Sequence, residues 1–347
     1  FEKQPVPGGM LALGIPEYRL PKEALQRDID FILRHGVELR TNANVESVES
    51  LRAMGYRAIF LASGAQESRT LGIEGEELEG VEDSLEYLRA RGLGKEPETG
   101  KRVVIIGGGN AAVDAARSAI RLGAEKVQIL YRRTREEMPA YEEEIEEALM
   151  EGVELHELLA PNRIIERGGK VTGIEMTRME LGAPDDSGRR RPVPMEGSEF
   201  IIDCDMVLPA VGQRASLEAA GGLELTPWKT VDFNAMTLAT SEDGVFSGGD
   251  INNGGSTVIK AIADGQRAAI AIDRYLGGSG VLPPDVSMSL YRAADDELEA
   301  ATEQLAEPLI PLSERRGFQE VVGTFHPEGA CAEASRCLRC DLEKVRT

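Results

Sequence analysis

Val103-Val104-Ile105-Ile106-Gly107-Gly108-Gly109-Asn110-Ala111-Ala112-Val113-Asp114 decides how this chain is read. An apolar, β-branched run breaks into three glycines and resumes with residues spaced for a helix, the strand, turn and helix of a dinucleotide-binding unit. In the pattern G-x-G-x-x-A, Gly107 permits the tight turn and Gly109 lets the backbone approach a pyrophosphate. Ala112 lets helix and strand pack closely, so that the helix N-terminus, with Asn110 and Ala111 in its first turn, faces the phosphates. A glycine-rich turn that holds no ligand is the alternative. The surroundings favour the first reading: a strand at 103–106, a helix at 110–122 and a second strand at 127–130 make one βαβ unit.

That second strand ends in Leu130-Tyr131-Arg132-Arg133. A fold selective for NAD(H) carries a carboxylate there for the ribose 2′-hydroxyl, and this chain carries none. Guanidinium groups pair bidentately with phosphate oxygens, so Arg132 and Arg133 favour the 2′-phosphate of NADP(H), with NAD(H) as the alternative. They are also able to pair with the acidic helix that follows.

Outward from this unit, residues 1–20 are rich in Gly and Pro and read as a loop lying against something. Helical spacing of Ala24, Leu25, Ile29, Ile32 and Leu33 predicts a helix over 21–35, capped by Gly36, and a short strand at 37–39. Residues 58–62 form an apolar run that stops at Ser63-Gly64, as a buried parallel strand does at a cofactor edge. The acidic helix over 141–151 reads as a solvated face with Ile145, Ala148 and Leu149 turned inward. Strands at 163–166, 171–179 and 200–202 flank a basic, Pro-rich loop (Arg189, Arg190, Arg191, Pro192) and predict a β-meander. Two further apolar runs end in glycine: 206–211 at Gly212, and 245–247 at Gly248-Gly249-Asp250. The latter delivers an aspartate to the carboxyl edge of a sheet, where it is placed to hold a ribityl hydroxyl. Thr257 and Val258 then open a helix, over 257–276, whose N-terminus suits a pyrophosphate or a reduced flavin ring. Past Gly277 the chain reads as a linker leading to a cysteine-bearing tail.

The chain has 347 residues and a net charge of -21, from 60 acidic against 39 basic side chains. This balance repels nucleic acid and anionic membrane surfaces, and no run of about 18 apolar residues is present for a membrane span. No basic-then-apolar leader pattern opens the sequence, so a cytoplasmic location is the default expectation. The four cysteines are too few and too clustered for a disulfide framework. Cys204, between Asp203 and Asp205, reads as structural. Cys331, Cys337 and Cys340 are the candidate metal ligands. Three thiolates fall one short of a usual iron-sulfur set, which leaves an iron-sulfur cluster, a zinc ion or no metal open.

In this order, Pro7-Gly8-Gly9-Met10, Gly14-Ile15-Pro16-Glu17-Tyr18-Arg19-Leu20-Pro21, Leu61-Ala62-Ser63-Gly64-Ala65, the glycine fingerprint, Tyr131-Arg132-Arg133 with Glu136-Glu137-Met138-Pro139-Ala140, Leu208-Pro209-Ala210-Val211-Gly212 and Gly244-Val245-Phe246-Ser247-Gly248-Gly249-Asp250 resemble the glutamate synthase small (beta) subunit family. The resemblance covers about residues 1–280 and implies an α/β fold of two dinucleotide-binding, Rossmann-like domains. An NAD(P)-binding domain at 76–205 is inserted into an FAD-binding domain at 1–75 and 206–280, with a linker and short cysteine-containing tail at 281–347. It implies a ribose contact at Glu2, flavin-side positions at Gly8, Gly9, Val45, Gly64, Gly249, Asp250, Thr257 and Val258, and a cofactor-side position at Gly212, core packing being the other reading of Val45. Phe1-Glu2 looks like the end of the second strand of the FAD domain, so its first strand and glycine turn are expected to precede Phe1. Arg315 to Val321 and Glu333 to Cys340 look like the opening of an iron-sulfur domain, here at the C-terminal side and with a 4Fe-4S cluster as one occupant.

The activity implied is an NAD(P)H-dependent FAD oxidoreductase that takes hydride from NADPH and passes electrons to an iron-sulfur or large catalytic subunit. In such proteins the cofactors carry the reaction, so no catalytic acid or nucleophile is expected. Two other readings stay open. A flavin-dependent disulfide reductase needs a redox-active Cys-x-x-Cys, and Cys337 with Cys340 is the only such pair. A non-catalytic nucleotide-binding scaffold within a complex needs no flavin at all.

Overall fold

The protein is described from a computed structural model over residues 1–184, 188–281 and 304–335. Residues 1–61 supply α1 (Met10–Leu13), α2 (Lys22–Leu33), α3 (Val48–Ala53) and β1 (Ile59–Leu61). Ser47 caps α3 by accepting from the Ser50 amide at 3.2 Å, satisfying one of the unpaired donors of the first turn. No ladder forms at 37–39, where a strand is expected, and Val37 and Leu39 face solvent. A strand needs a hydrogen-bonded neighbour, and the backbone ties in this region run instead between 2–4 and 40–43: Glu2 N to Arg40 O at 2.8 Å and Ala43 N to Glu2 O at 2.9 Å.

The chain then crosses between two halves twice. The outward crossing carries β2 (Glu67–Ser68) and the return carries β11 (Gln213–Arg214), and the two pair antiparallel as a narrow ribbon. Between them lie α4 (Ser84–Gly92), β3 (Arg102–Ile106), α5 (Asn110–Arg121), β4 (Lys126–Leu130), α6 (Glu142–Met150), β5 (Glu154–His156), β6 (Leu159–Arg167), β7 (Lys170–Pro184), β8 (Arg190–Pro194), β9 (Phe200–Asp203) and β10 (Met206–Pro209). The sheet order is β10-β3-β4-β5, and every pairing is parallel. Because β10 pairs with β3 from Met206↔Val103 to Pro209↔Ile106, the sheet of the inserted unit runs four residues past the expected junction at 205/206.

Both faces of this sheet are covered, which is why its strands read as unbroken apolar runs. Val103 and Ile105 pack under α5 through Ala112, Ala115, Ala116 and Ala119, while Val104 and Ile106 pack against the meander through Ile164, Ile174 and Met176. The basic segment expected as a loop is the strand β8, paired with β7 only. An edge strand tolerates Pro192 and Pro194 because its outer side needs no amide donor.

On return, β12 (Val245–Ser247) pairs parallel with β1, Ile59↔Val245 to Leu61↔Ser247, and is followed by α7 (Asp250–Asn253) and α8 (Val258–Tyr275). Val48, Leu51, Ile59, Leu61, Val231 and Ile251 form the core of this half, with Val45 packed at its margin. The tail contributes a short helix, α9 (Pro327–Ser335).

Candidate dinucleotide-binding edges

At the carboxyl end of β3 the three glycines have three different surroundings. Gly107 has φ +151°, and a Cβ there would stand 2.3 Å from the Ala210 carbonyl oxygen, where the chain leaves β10. Gly108 lies under the Tyr131 ring. Gly109, the N-cap of α5, faces open space, with Pro139 Cγ the nearest atom to an added Cβ at 3.9 Å. No side chain caps α5 and no acid stands in its first turn, so its amides remain available to an anion. Gly109, Asn110 and Ala111 are partly exposed, and Ala112 is buried against the sheet. Asn110 turns its Oδ1 aside to accept from the Tyr141 amide at 3.0 Å, which fixes the loop over the turn.

Beyond β4, Tyr131 is buried and donates its hydroxyl to the Glu137 carbonyl at 2.9 Å. The two arginines that follow diverge. Arg132 is exposed and makes no hydrogen bond or ion pair among the described residues. Arg133 is buried, and its Nε donates to the Arg190 carbonyl at 2.7 Å. Glu137, in turn, accepts from the Arg190 amide at 3.1 Å and from Thr134, and these bonds hold its carboxyl below the usual range against a desolvation that acts the other way. Arg133 and Glu137 thereby seat β8 next to the strand end, and only Arg132 presents a guanidinium outward.

The second edge lies where β1 and β12 end side by side. Gly64 (φ +73°) follows β1, and Ser63 Oγ donates to the Ser216 carbonyl at 2.7 Å. After β12, a Cβ on Gly248 would press on Phe60 at 2.9 Å, and Gly249 (φ +75°) turns the chain into α7. The Gly249 amide donates to Asp264 Oδ2 at 2.9 Å, and Asp264, buried on α8, is held by Arg267 at 3.1 Å. Sequence reading missed Asp264; its position seven residues into a helix gives no sign that it anchors a turn. Asp250 is partly exposed and accepts from Ser256 Oγ at 2.9 Å. Thr257 caps α8, and Val258, Ile259 and Ile262 leave apolar surface open beside it. Next to Asp250, Asn252 Oδ1 is buried with no hydrogen-bond partner among the described residues.

The N-terminal positions are less uniform. Gly8 (φ +114°) is crowded by Ala12 and Leu25, and Gly9 (φ +53°) is open. Glu2 folds its carboxylate back to accept from the Gln4 amide at 2.8 Å. Gly212 (φ +102°) sits on the returning crossing, where its carbonyl accepts from Arg69 N at 2.9 Å. The structure thus gathers Gly107, Gly109 and Arg132 on one carboxyl edge, and Gly64, Gly249 and Asp250 on the other. A hollow of about 760 Å³ lined by Arg102, Gln128, His156, Arg178 and Phe200 lies between the first sheet and the meander, and neither glycine turn lines it.

Of the candidate metal ligands, Cys331 is exposed on α9, and Cys337 and Cys340 lie outside the described residues. Among the described residues no group of three or more His, Cys, Asp or Glu is placed to hold a metal. Cys204 is buried, and burial pushes its thiol up to about 12, so it stays protonated and inert. No helix among the described residues is long and apolar enough to cross a membrane.

A family model described as pyridine nucleotide-disulphide oxidoreductase matches residues 5–265. The NADP(+)-dependent formate dehydrogenase subunit beta of Moorella thermoacetica is 42% identical over 365 residues, an alignment that takes in 98% of this chain and 50% of that protein. The glutamate synthase NADPH small chain of Escherichia coli is 37% identical over 296 residues, covering 80% of this chain and 63% of its own length. The chain therefore spans about half the length of the first of these relatives and under two thirds of the second, and the resemblance read from its motifs is borne out. Among solved structures, Mycobacterium tuberculosis FprA in complex with NADPH shares the fold at a TM-score of 0.65 and 21% identity, over 80% of this chain and 77% of that one.

Proposed function

We propose that this chain, which belongs to the pyridine nucleotide-disulphide oxidoreductase family, is the electron-input unit of an NADPH-dependent flavin oxidoreductase and hands electrons to an iron-sulfur or large catalytic partner subunit. The observation that carries this reading is the pair of glycine turns on the carboxyl edges of two parallel sheets, joined by the β2–β11 ribbon. One edge suits a nicotinamide dinucleotide. The uncapped N-terminus of α5 and the open face of Gly109 receive its pyrophosphate, and Arg132 reaches its 2′-phosphate.

The other edge suits FAD. Asp250 is placed to bind a ribityl hydroxyl, the Gly249 turn keeps its backbone free of side chains, and the apolar opening of α8 offers surface to a ring system. FAD, when bound, supplies the exchange between a two-electron hydride and single electrons. The protein's part is to hold the two sites in register and keep polar groups aimed at phosphate and ribityl oxygens. The partner is inferred from the relatives, which are named as a beta subunit and a small chain. A cytoplasmic location agrees with this assignment.

An anaerobic visible spectrum of the full-length protein tests the reading. Flavin absorbance that NADPH bleaches, and NADH bleaches less readily, is expected. A protein that stays colourless after reconstitution with FAD overturns it in favour of a nucleotide-binding scaffold, and a thiol pair that becomes reactive only after NADPH would favour a disulfide reductase.

A further inference from the structure

We infer that residues 14–21 and the tail segment 308–322 close a clasp on the back of α5, and that Tyr18, Arg19, Arg315 and Phe318 are positioning residues that fix the nucleotide-binding half against the flavin-side half. The catalytic part of this inference rests on the two-cofactor reading above.

The clasp is built around four arginines facing four carboxylates with little solvent between them. Arg19 grips Asp114 through both carboxylate oxygens, at 2.9 and 2.8 Å, and reaches Glu144 through Nε at 2.8 Å. Arg117, fully buried, meets Glu144 at 2.8 Å, Glu147 at 2.6 Å and Glu151 at 2.8 Å, and Arg121 meets Glu151 at 2.5 Å. Tyr18 is the wedge: its buried ring lies under Arg121 at 4.0 Å and Arg117 at 4.6 Å, and its hydroxyl stands 3.4 Å from Asp114. Burial with Asp114 beside it pushes the Tyr18 hydroxyl well above its ordinary pKa, so it stays a neutral donor.

The tail completes the assembly. Arg315 lies 3.5 Å from Glu151 and 3.8 Å from Glu147, and Phe318 sits under Arg91 at 4.2 Å with its ring 6.1 Å from that of Tyr18. The Val321 amide donates to the Tyr18 carbonyl at 3.0 Å, and Ile310 and Val321 pair across the returning strand-like segment at 3.0 Å. Thus the segment that looked like the opening of an iron-sulfur domain has a second job within the described residues.

Why this bears on positioning follows from α5. Asp114 lies on its second turn, roughly 7 Å of helix rise beyond Gly109. Whatever holds Asp114 and Arg117 therefore sets the axis of the helix whose N-terminus receives the pyrophosphate. The segment that supplies Tyr18 and Arg19 lies between α1 and α2, shortly after the Gly8-Gly9 turn. Besides the clasp, the N-terminal segment meets the nucleotide-binding half where α1 packs on α4 and Arg91 stands 3.2 Å from Glu17, and the crossings themselves are paired by the two-residue strands β2 and β11, too thin a ribbon to fix a rotation alone. A buried ionic network adds little net stability over apolar packing, and its better-attested use is to specify one arrangement among several.

The test uses the full-length protein and the variants Arg19→Ala, Phe318→Ala, their combination, and Arg19→Lys as the conservative control. Calorimetry is expected to show one unfolding transition in the wild type and two separated transitions in the double variant. NADPH affinity should change less than threefold while the rate of flavin reduction falls tenfold or more, with partial recovery in Arg19→Lys. A single transition together with an unchanged reduction rate in the double variant overturns the clasp. If that variant does not fold, hydrogen exchange on the wild type decides: Ile310, Val321 and the α5 amides opening as one unit support it, and tail amides exchanging freely while α5 stays protected overturn it. Absence of flavin or NADPH binding in the wild type would instead sink the functional reading, leaving calorimetry and exchange as tests of the clasp alone.

Discussion

The ring of Tyr131 occupies the volume that a side chain on Gly108 would need: an added Cβ would lie 2.6 Å from Tyr131 Cδ2, whereas one on Gly109 meets nothing nearer than 3.9 Å. Of these two neighbouring glycines, the fold itself requires Gly108, and Gly109 is left open to the nucleotide proposed for this turn. Gly108→Ala should destabilise the fold by about 1–3 kcal/mol through overpacking. Gly109→Ala, at φ -91°, should leave thermal unfolding unchanged and weaken NADPH binding at least tenfold. Thermal melts and NADPH titrations of both variants check this; equal stability loss in the two would remove the argument.

Arg132 and Arg133 should separate in the same way. Arg132→Ala is expected to weaken NADPH far more than NADH, by a factor on the order of ten or more for the loss of a charge-assisted phosphate contact. Arg133→Ala strips the Arg190 carbonyl of a buried donor and loosens β8, so it should lower the melting temperature. Titrations of both variants with both nucleotides decide; an Arg132→Ala protein that loses NADPH and NADH equally would refute the phosphate role.

Much of the fold was legible because parallel strands buried on both faces advertise themselves. The runs at 103–106, 127–130 and 245–247 became strands, as did 206–209 of the run at 206–211, and the glycines after 103–106 and 245–247 marked carboxyl edges. What was not legible depends on partners distant in sequence. The acidic helix α6 read as a solvated face, and Glu142, Glu143 and Glu146 are indeed exposed, but Glu144, Glu147 and Glu151 turn onto arginines of α5 and the tail. A run of glutamates carries no sign of which ones meet an arginine thirty residues earlier. Likewise nothing local distinguishes Arg132 from Arg133, because the choice is made by a carbonyl on β8.

Asp264 is the strongest such omission and carries a prediction of its own. Its carboxylate satisfies the Gly249 amide at a turn that a side chain cannot easily adopt. Asp264→Ala leaves that donor buried and unpaired, a cost of about 1–3 kcal/mol, and should release flavin although Asp264 is not among the residues assigned to flavin. Asp264→Asn keeps an acceptor and should retain most of it. Flavin-to-protein ratios after gel filtration measure the difference, and full flavin content in Asp264→Ala would show that the turn holds without its anchor.

The pH dependence of the clasp follows from two carboxyls shifted in opposite directions. Burial pushes Asp114 up to about 6 despite Arg19 beside it, so its favourable contribution is complete below the unfolded value of 3.8 and fades as pH rises through 6. For Glu151 burial acts upward too, but hydrogen bonds from Arg121 and Arg117 prevail and hold it at about 2. Its contribution is present above 4.5 and is lost as pH falls toward 2. Glu151→Gln should therefore cost at most about 3 kcal/mol at neutral pH, and the gap to the wild type should shrink steadily below pH 4.5, since a protonated glutamate and a glutamine make nearly the same contacts. Urea unfolding of both proteins from pH 7 to pH 3 measures it. A gap that stays constant across that range would mean that Glu151 is not held ionised by Arg117 and Arg121.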